Sequence, residues 1–135
     1  MSTAPQDADD DIDDEIVDIF VEEATEVLEG LSADVPKWQG DHGNRPLLTD
    51  IRRAFHTLKG SGRMAKALDV AEIAWKVEQA LNKALDGTLE INNHLVDMVN
   101  KARDAIPALI DALRERRPMP MHERDFSRLL SQIGA

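Results

Sequence analysis

At 135 residues the chain is long enough for one helical core and too short for two domains. With no Cys it can hold neither a disulfide nor a thiolate metal site, which suits a reducing, cytoplasmic setting. Its formal net charge of −10 argues against nucleic acid as a partner. No apolar run approaches the ~18 residues that mark a membrane span, and the acidic, polar N-terminus has no apolar segment of the kind a signal peptide needs.

The charge is uneven. Asp7, Asp9, Asp10, Asp11, Asp13, Asp14 and Glu15 crowd the first 15 residues, which contain no base, while the remainder is nearly balanced. Residues 1–12 have little to bury and are expected to be a disordered acidic leader. Residues 13–117 are expected to form a helical bundle, and 118–135 a further helix or a linker.

Helix A is predicted over 13–34, with Val17, Phe20, Ala24, Val27, Leu28, Leu31 and Val35 on one stripe. Acids in its first turn suit the helix dipole. Pro36 either ends this helix or kinks it, so that it runs one turn further to Trp38. Gly40-Asp41-His42-Gly43-Asn44 reads as a loop. Helix B follows over 45–64, and Ala65 to Leu68 form a tight connection. Asp69, with Glu72 three residues on, resembles a capping box opening helix C over 70–86. Val70, Ile73, Ala74, Val77, Leu81, Ala84 and Leu85 form its apolar stripe, Glu78 lies at the edge of that stripe, and Gly87 suits the position just past the end. Trp75 lies off the stripe and reads as packing in a second seam.

Helix D is predicted over 92–115, capped by Asn92 or Asn93. Its stripe is Leu95, Met98, Val99, Ala102, Ile106, Leu109, Ile110 and Leu113, and Pro107 must kink or divide it. Pro118 and Pro120 close the element. A short helix E over 121–132 gathers Phe126, Leu129, Leu130 and Ile133 on one face. Amphipathic helices joined by short loops imply an all-α, antiparallel four-helix bundle with an additional short C-terminal helix.

Helix B holds the chemistry. Leu47, Ile51, Ala54, Phe55, Leu58, Gly62 and Ala65 gather on one side, and Arg52, His56, Lys59, Gly60 and Arg63 on the other. A glycine inside a helix costs about 1 kcal/mol relative to Ala, so Gly60 and Gly62 need a reason. One reason is close approach of a neighbouring backbone; the other is open space beside the imidazole. A neutral imidazole with cations nearby and room around it is what a phosphoryl acceptor needs.

His56-Thr57-Leu58-Lys59-Gly60 resembles the H-x-L-K-G signature of histidine phosphotransfer (HPt) domains. The longer run HTLKGSGRMAKALDVAEIAWKVEQALNKALDG is similar to the HPt modules of CheA-like chemosensory kinases, especially those of type IV pilus and twitching-motility systems. The upstream pattern IVDIFVEEATEVLEGL also fits. The resemblance implies that His56 accepts a phosphoryl group from a kinase catalytic domain or a receiver, and yields it to an aspartate of a response-regulator receiver. It implies that Lys59 contacts the phosphoryl group and that Gly60 keeps the approach open. Glu78 stands where such domains carry a glutamate that accepts a hydrogen bond from the other ring nitrogen, fixing the tautomer. Arg63 and Gln79 are supporting polar candidates, and Arg52 is a candidate contact for a receiver's acidic surface.

There is no P-loop and no other nucleotide-binding pattern. The chain therefore reads as a phosphorylated carrier and not an enzyme, with no cofactor of its own; ATP and magnesium belong to partner domains. A monomer is expected, either free-standing or one module of a longer kinase. The leading alternative is a docking module that keeps the fold and binds a receiver or kinase domain without being phosphorylated; the joint presence of His56, Lys59, Gly60 and Glu78 speaks against it. A carboxylate metal bundle would need paired Glu-x-x-His motifs, which are absent. His42, His94 and His122 have no metal-like spacing and are assigned no function.

Overall fold

The computed structural model describes residues 3–118, 120–121 and 123–134; His122 and the first two positions of the expected leader lie outside them. Five helices follow in order: α1 (Thr3–Gln39), α2 (Arg45–Met64), α3 (Leu68–Asp86), α4 (Asn93–Arg114) and α5 (Glu123–Gly134). There is no strand among the described residues.

The first four helices close a square, α1 on α2, α2 on α3, α3 on α4 and α4 back on α1, with no diagonal contact. Short connections make successive helices antiparallel. Phe20, Leu31, Trp38, Ile51, Phe55, Leu58, Ile73, Leu81, Val99 and Ile106 meet in the centre. α5 packs on α3 and α4 and seats Ile133 with no exposed surface. The segment 118–135, expected as helix or linker, thus contributes a docked helix.

α1 departs furthest from expectation. It starts at Thr3, inside the stretch expected to be a disordered leader, and ends at Gln39. Extending an existing helix is far easier than nucleating one, which accounts for helix continuing into a segment with no core of its own to bury. Pro36 lies inside the helix, which continues past it, so that Trp38 becomes fully buried. His42 lies beside Trp38, ring centroids 6.0 Å apart.

α2 opens on Asn44, whose Oδ1 accepts from Leu47 N at 3.1 Å, with Pro46 in the first turn. Leu48 rather than Leu47 is its buried leucine at this end. α3 starts at Leu68, ahead of the expected capping box. Its N-cap position is Ala67, with no side-chain cap, and Asp69 Oδ1 accepts from Val70 N instead. Asn92 caps α4 through Leu95 N, and α4 runs undivided through Pro107.

The helix ends share one device. Lys66, Gly87 and Arg116 all sit at left-handed φ, of 61°, 86° and 58°. At the α2 end, Lys66 N bonds Arg63 O and Ala67 N bonds Gly62 O; the α4 end repeats this with Arg116 and Arg117. These are paired C-terminal bonds that satisfy the last free carbonyls.

Candidate functional site

α2 and α3 make the closest pairing in the bundle, and Gly62 is why. A Cβ there would lie 3.3 Å from Ala67 O and 3.4 Å from both Ala71 Cβ and Ala71 N. Gly60 differs: a Cβ there would meet nothing within 4 Å. The two reasons for helical glycine divide between them, close packing at Gly62 and open space at Gly60.

A lateral ladder joins the two helices, with α3 numbers falling as α2 numbers rise. Arg45 Nη2 donates to Leu85 O at 2.7 Å, and Arg52 Nη1 to Asn82 Oδ1 at 3.5 Å. His56 Nδ1 lies 2.6 Å from Glu78 Oε2, and Lys59 Nζ lies 2.6 Å from Glu78 Oε1. One carboxylate therefore receives both groups, one on each oxygen.

The environments are graded. The side chain of His56 is 60% exposed, that of Lys59 18% and that of Glu78 8%. Burial alone would raise the pKa of the Glu78 carboxyl. The hydrogen bonds from Lys59 and then His56, with their charges, outweigh burial and hold it below its ordinary value of 4.5. An ionised Glu78 only accepts, so the neutral imidazole carries its proton on Nδ1 and leaves a lone pair on Nε2. The arrangement presents an oriented, solvent-facing nitrogen nucleophile.

The remaining candidates divide. Arg52 is half-buried, bonded to Asn82, and its Nε is buried with no hydrogen-bond partner. Arg63 is exposed, and its side chain makes no ion pair or hydrogen bond among the described residues. Gln79, expected beside His56, instead lines a hollow with Trp75, Lys83, Met98 and Ile133, where α3 meets α5. It lies one residue, and so about 100°, round α3 from Glu78. Asn82 went unnoticed in the sequence, although it stands one turn after Glu78 as Arg52 stands one turn before His56. Ser61 donates to Glu23, tying α1 to α2 beside the site. Among the described residues no group of His, Asp and Glu could hold a metal ion, and no helix is long and apolar enough to cross a membrane.

Comparison with known proteins adds to this geometry. The family model described as Hpt domain matches residues 15–116. The chain is 32% identical over 100 residues to the chemotaxis protein CheA of Borreliella burgdorferi, covering 74% of this chain and 12% of that protein. It is 31% identical over 84 residues to CheA of Listeria monocytogenes, covering 62% and 14%. It is 29% identical over 101 residues to the sensor histidine kinase CheAY of Helicobacter pylori, covering 75% and 13%. The match thus spans 12–14% of the length of these relatives. Among solved structures, the phosphorylated P1 domain of CheA3 in complex with CheY6 from R. sphaeroides has the same fold. The TM-score is 0.75 at 20% identity, over 89% of this chain and 93% of that one.

Proposed function

The chain belongs to the Hpt domain family, and from that premise we propose that it is a phosphorelay intermediate with His56 as its phosphoryl acceptor. The observation that carries this reading is the 2.6 Å contact from His56 Nδ1 to a buried Glu78, made by an imidazole side chain that is itself 60% exposed. The Nε2 lone pair attacks phosphorus in line, an N–P bond forms, and the donor's P–O bond breaks. In the second step an aspartate oxygen of a receiver attacks the same phosphorus, and the N–P bond breaks. The proton stays on Nδ1, hydrogen-bonded to Glu78, throughout, so the imidazole returns to the same tautomer.

The donor is a kinase catalytic domain or a charged receiver, and the acceptor is a response-regulator receiver. ATP and magnesium belong to those domains, and the chain turns over nothing alone. The solved P1 domain in complex with CheY6 supports a receiver as partner. Met64 and Leu68, 77% and 65% exposed at the junction of α2 and α3, supply apolar contact surface for one. The setting is chemosensory, since the named relatives are chemotaxis kinases. We assign it to the type IV pilus and twitching branch on the run HTLKGSGRMAKALDVAEIAWKVEQALNKALDG, acting as a cytoplasmic monomer.

The test is phosphoryl uptake from pre-charged receivers, followed by intact mass and acid lability, with His56→Gln alongside. One acid-labile phosphate on the wild type and none on the variant is expected. Receiver binding without phosphate on the wild type would instead make the chain a docking module.

A further inference from the structure

Four cations flank His56 on α2, and three are engaged; Arg53 pairs with Asp50 at 3.9 Å. Lys59 holds Glu78 at 2.6 Å and is largely buried, and Arg52 reaches Asn82. The side chain of Arg63 has no partner among the described residues and is exposed. It stands seven residues after His56, so the two lie about 20° apart around the helix and about 10 Å apart along it. Helical side chains lean toward the N-terminus, His56 as well as Arg63, so it is the longer arginine that extends back along the helix toward the imidazole. The position it must cross is Gly60, where even a Cβ would touch nothing within 4 Å.

Resting on the phosphoryl-acceptor reading above, we propose that Arg63 is the residue that contacts the phosphoryl oxygens on His56 Nε2, reaching across the bare surface of Gly60. A guanidinium suits this task, because its planar fork pairs with two phosphoryl oxygens at once. Labour is thereby divided between the cations. Lys59 neutralises the glutamate on the Nδ1 side, and Arg63 neutralises the incoming phosphoryl group on the Nε2 side. The bare Gly60 acquires a second purpose, since any side chain there would stand between the guanidinium and the phosphoryl group.

The test charges the chain with phosphoramidate, which needs no protein partner. The Nε2 lone pair attacks phosphorus, the new N–P bond forms, and the donor's P–N bond breaks with loss of ammonia. The wild type, Arg63→Ala, Arg63→Lys and, as a control on α5, Arg128→Ala are then followed by 31P NMR across a pH titration. Loss of the guanidinium should raise the phosphoryl group's own pKa by about half a unit, as expected for an exposed ion pair, and slow uptake about threefold. Arg63→Lys should fall between, and Arg128→Ala should titrate as the wild type. A charged wild type and a charged Arg63→Ala with the same titration would overturn this assignment alone, even if transfer to a receiver were slowed. A wild type that takes no phosphate would overturn both this and the phosphoryl-acceptor reading.

Discussion

Lys59 Nζ lies 2.6 Å from Glu78 Oε1, the carboxylate oxygen that His56 does not use. In the uncharged chain the lysine therefore sits on the inner, Nδ1 side of the imidazole. Lys59→Met removes the larger of the two hydrogen bonds that hold the Glu78 carboxyl down. A buried carboxylate is then left with one partner, at an expected cost of about 1–2 kcal/mol. Thermal unfolding should register a Tm lower by about 4–8 °C, and the Glu78 resonance should titrate at higher pH by carboxyl-detected NMR.

Acid should act on the same group. Because its folded-state pKa lies below the ordinary 4.5, ionised Glu78 contributes stability that is complete above that value. This contribution is lost as pH falls through the lowered pKa. Glu78→Gln, which has no carboxyl to protonate, should show a flatter decline of urea-unfolding stability below about pH 4.5. It should also take up phosphate about ten- to a hundredfold more slowly, the scale seen when a histidine loses the partner that orients it. An acid limb as steep as that of the wild type would contradict the Glu78 account.

The two helical glycines should respond oppositely to alanine. Gly60→Ala meets open space and gains helix propensity, about 1 kcal/mol. The same methyl group stands beside the imidazole, so phosphoryl uptake should slow while Tm rises. Gly62→Ala pushes a methyl to 3.3 Å from Ala67 O, a carbonyl fixed by its bond from Ala71 N. Its propensity gain should be cancelled, leaving it about 1 kcal/mol less stable than Gly60→Ala. Paired denaturant titrations measure the difference directly.

α5 should be part of the folding unit. Ile133 is fully buried against α3 and α4, so Ile133→Ala should cost about 2–4 kcal/mol. Removal of residues 118–135 should lower Tm at least as far. A truncated chain that melts with the full chain would show α5 to be dispensable.

Much of this was legible in the sequence because helical periodicity is a local signal. α2 was placed at its observed bounds, and the stripes of α3 and α4 are buried almost residue for residue. The pairing of His56 with Glu78 followed from the resemblance, and open space at Gly60 was one of the two reasons offered for a glycine inside the helix. What escaped depended on more than the neighbouring residues. The sequence left open whether α1 ends at Pro36 or runs on to Trp38, and the helix that continues buries Trp38 fully. Lys66 and Arg116 end their helices in conformations that favour glycine, so composition gave no cue. Gln79, a supporting polar candidate in the sequence, lines a hollow with Trp75, Met98 and Ile133 where α3 meets α5.

The half-exposed imidazole on the outside of α2 has one more consequence. A convex nucleophile has no walls, so each partner must bring the other half of the reaction centre and press it onto the same patch. Donor and acceptor then exclude one another sterically. On the phosphorelay reading proposed above, transfer would proceed in ping-pong order, with the charged domain leaving one partner before it meets the next, and its rate would have a ceiling set by release from the first.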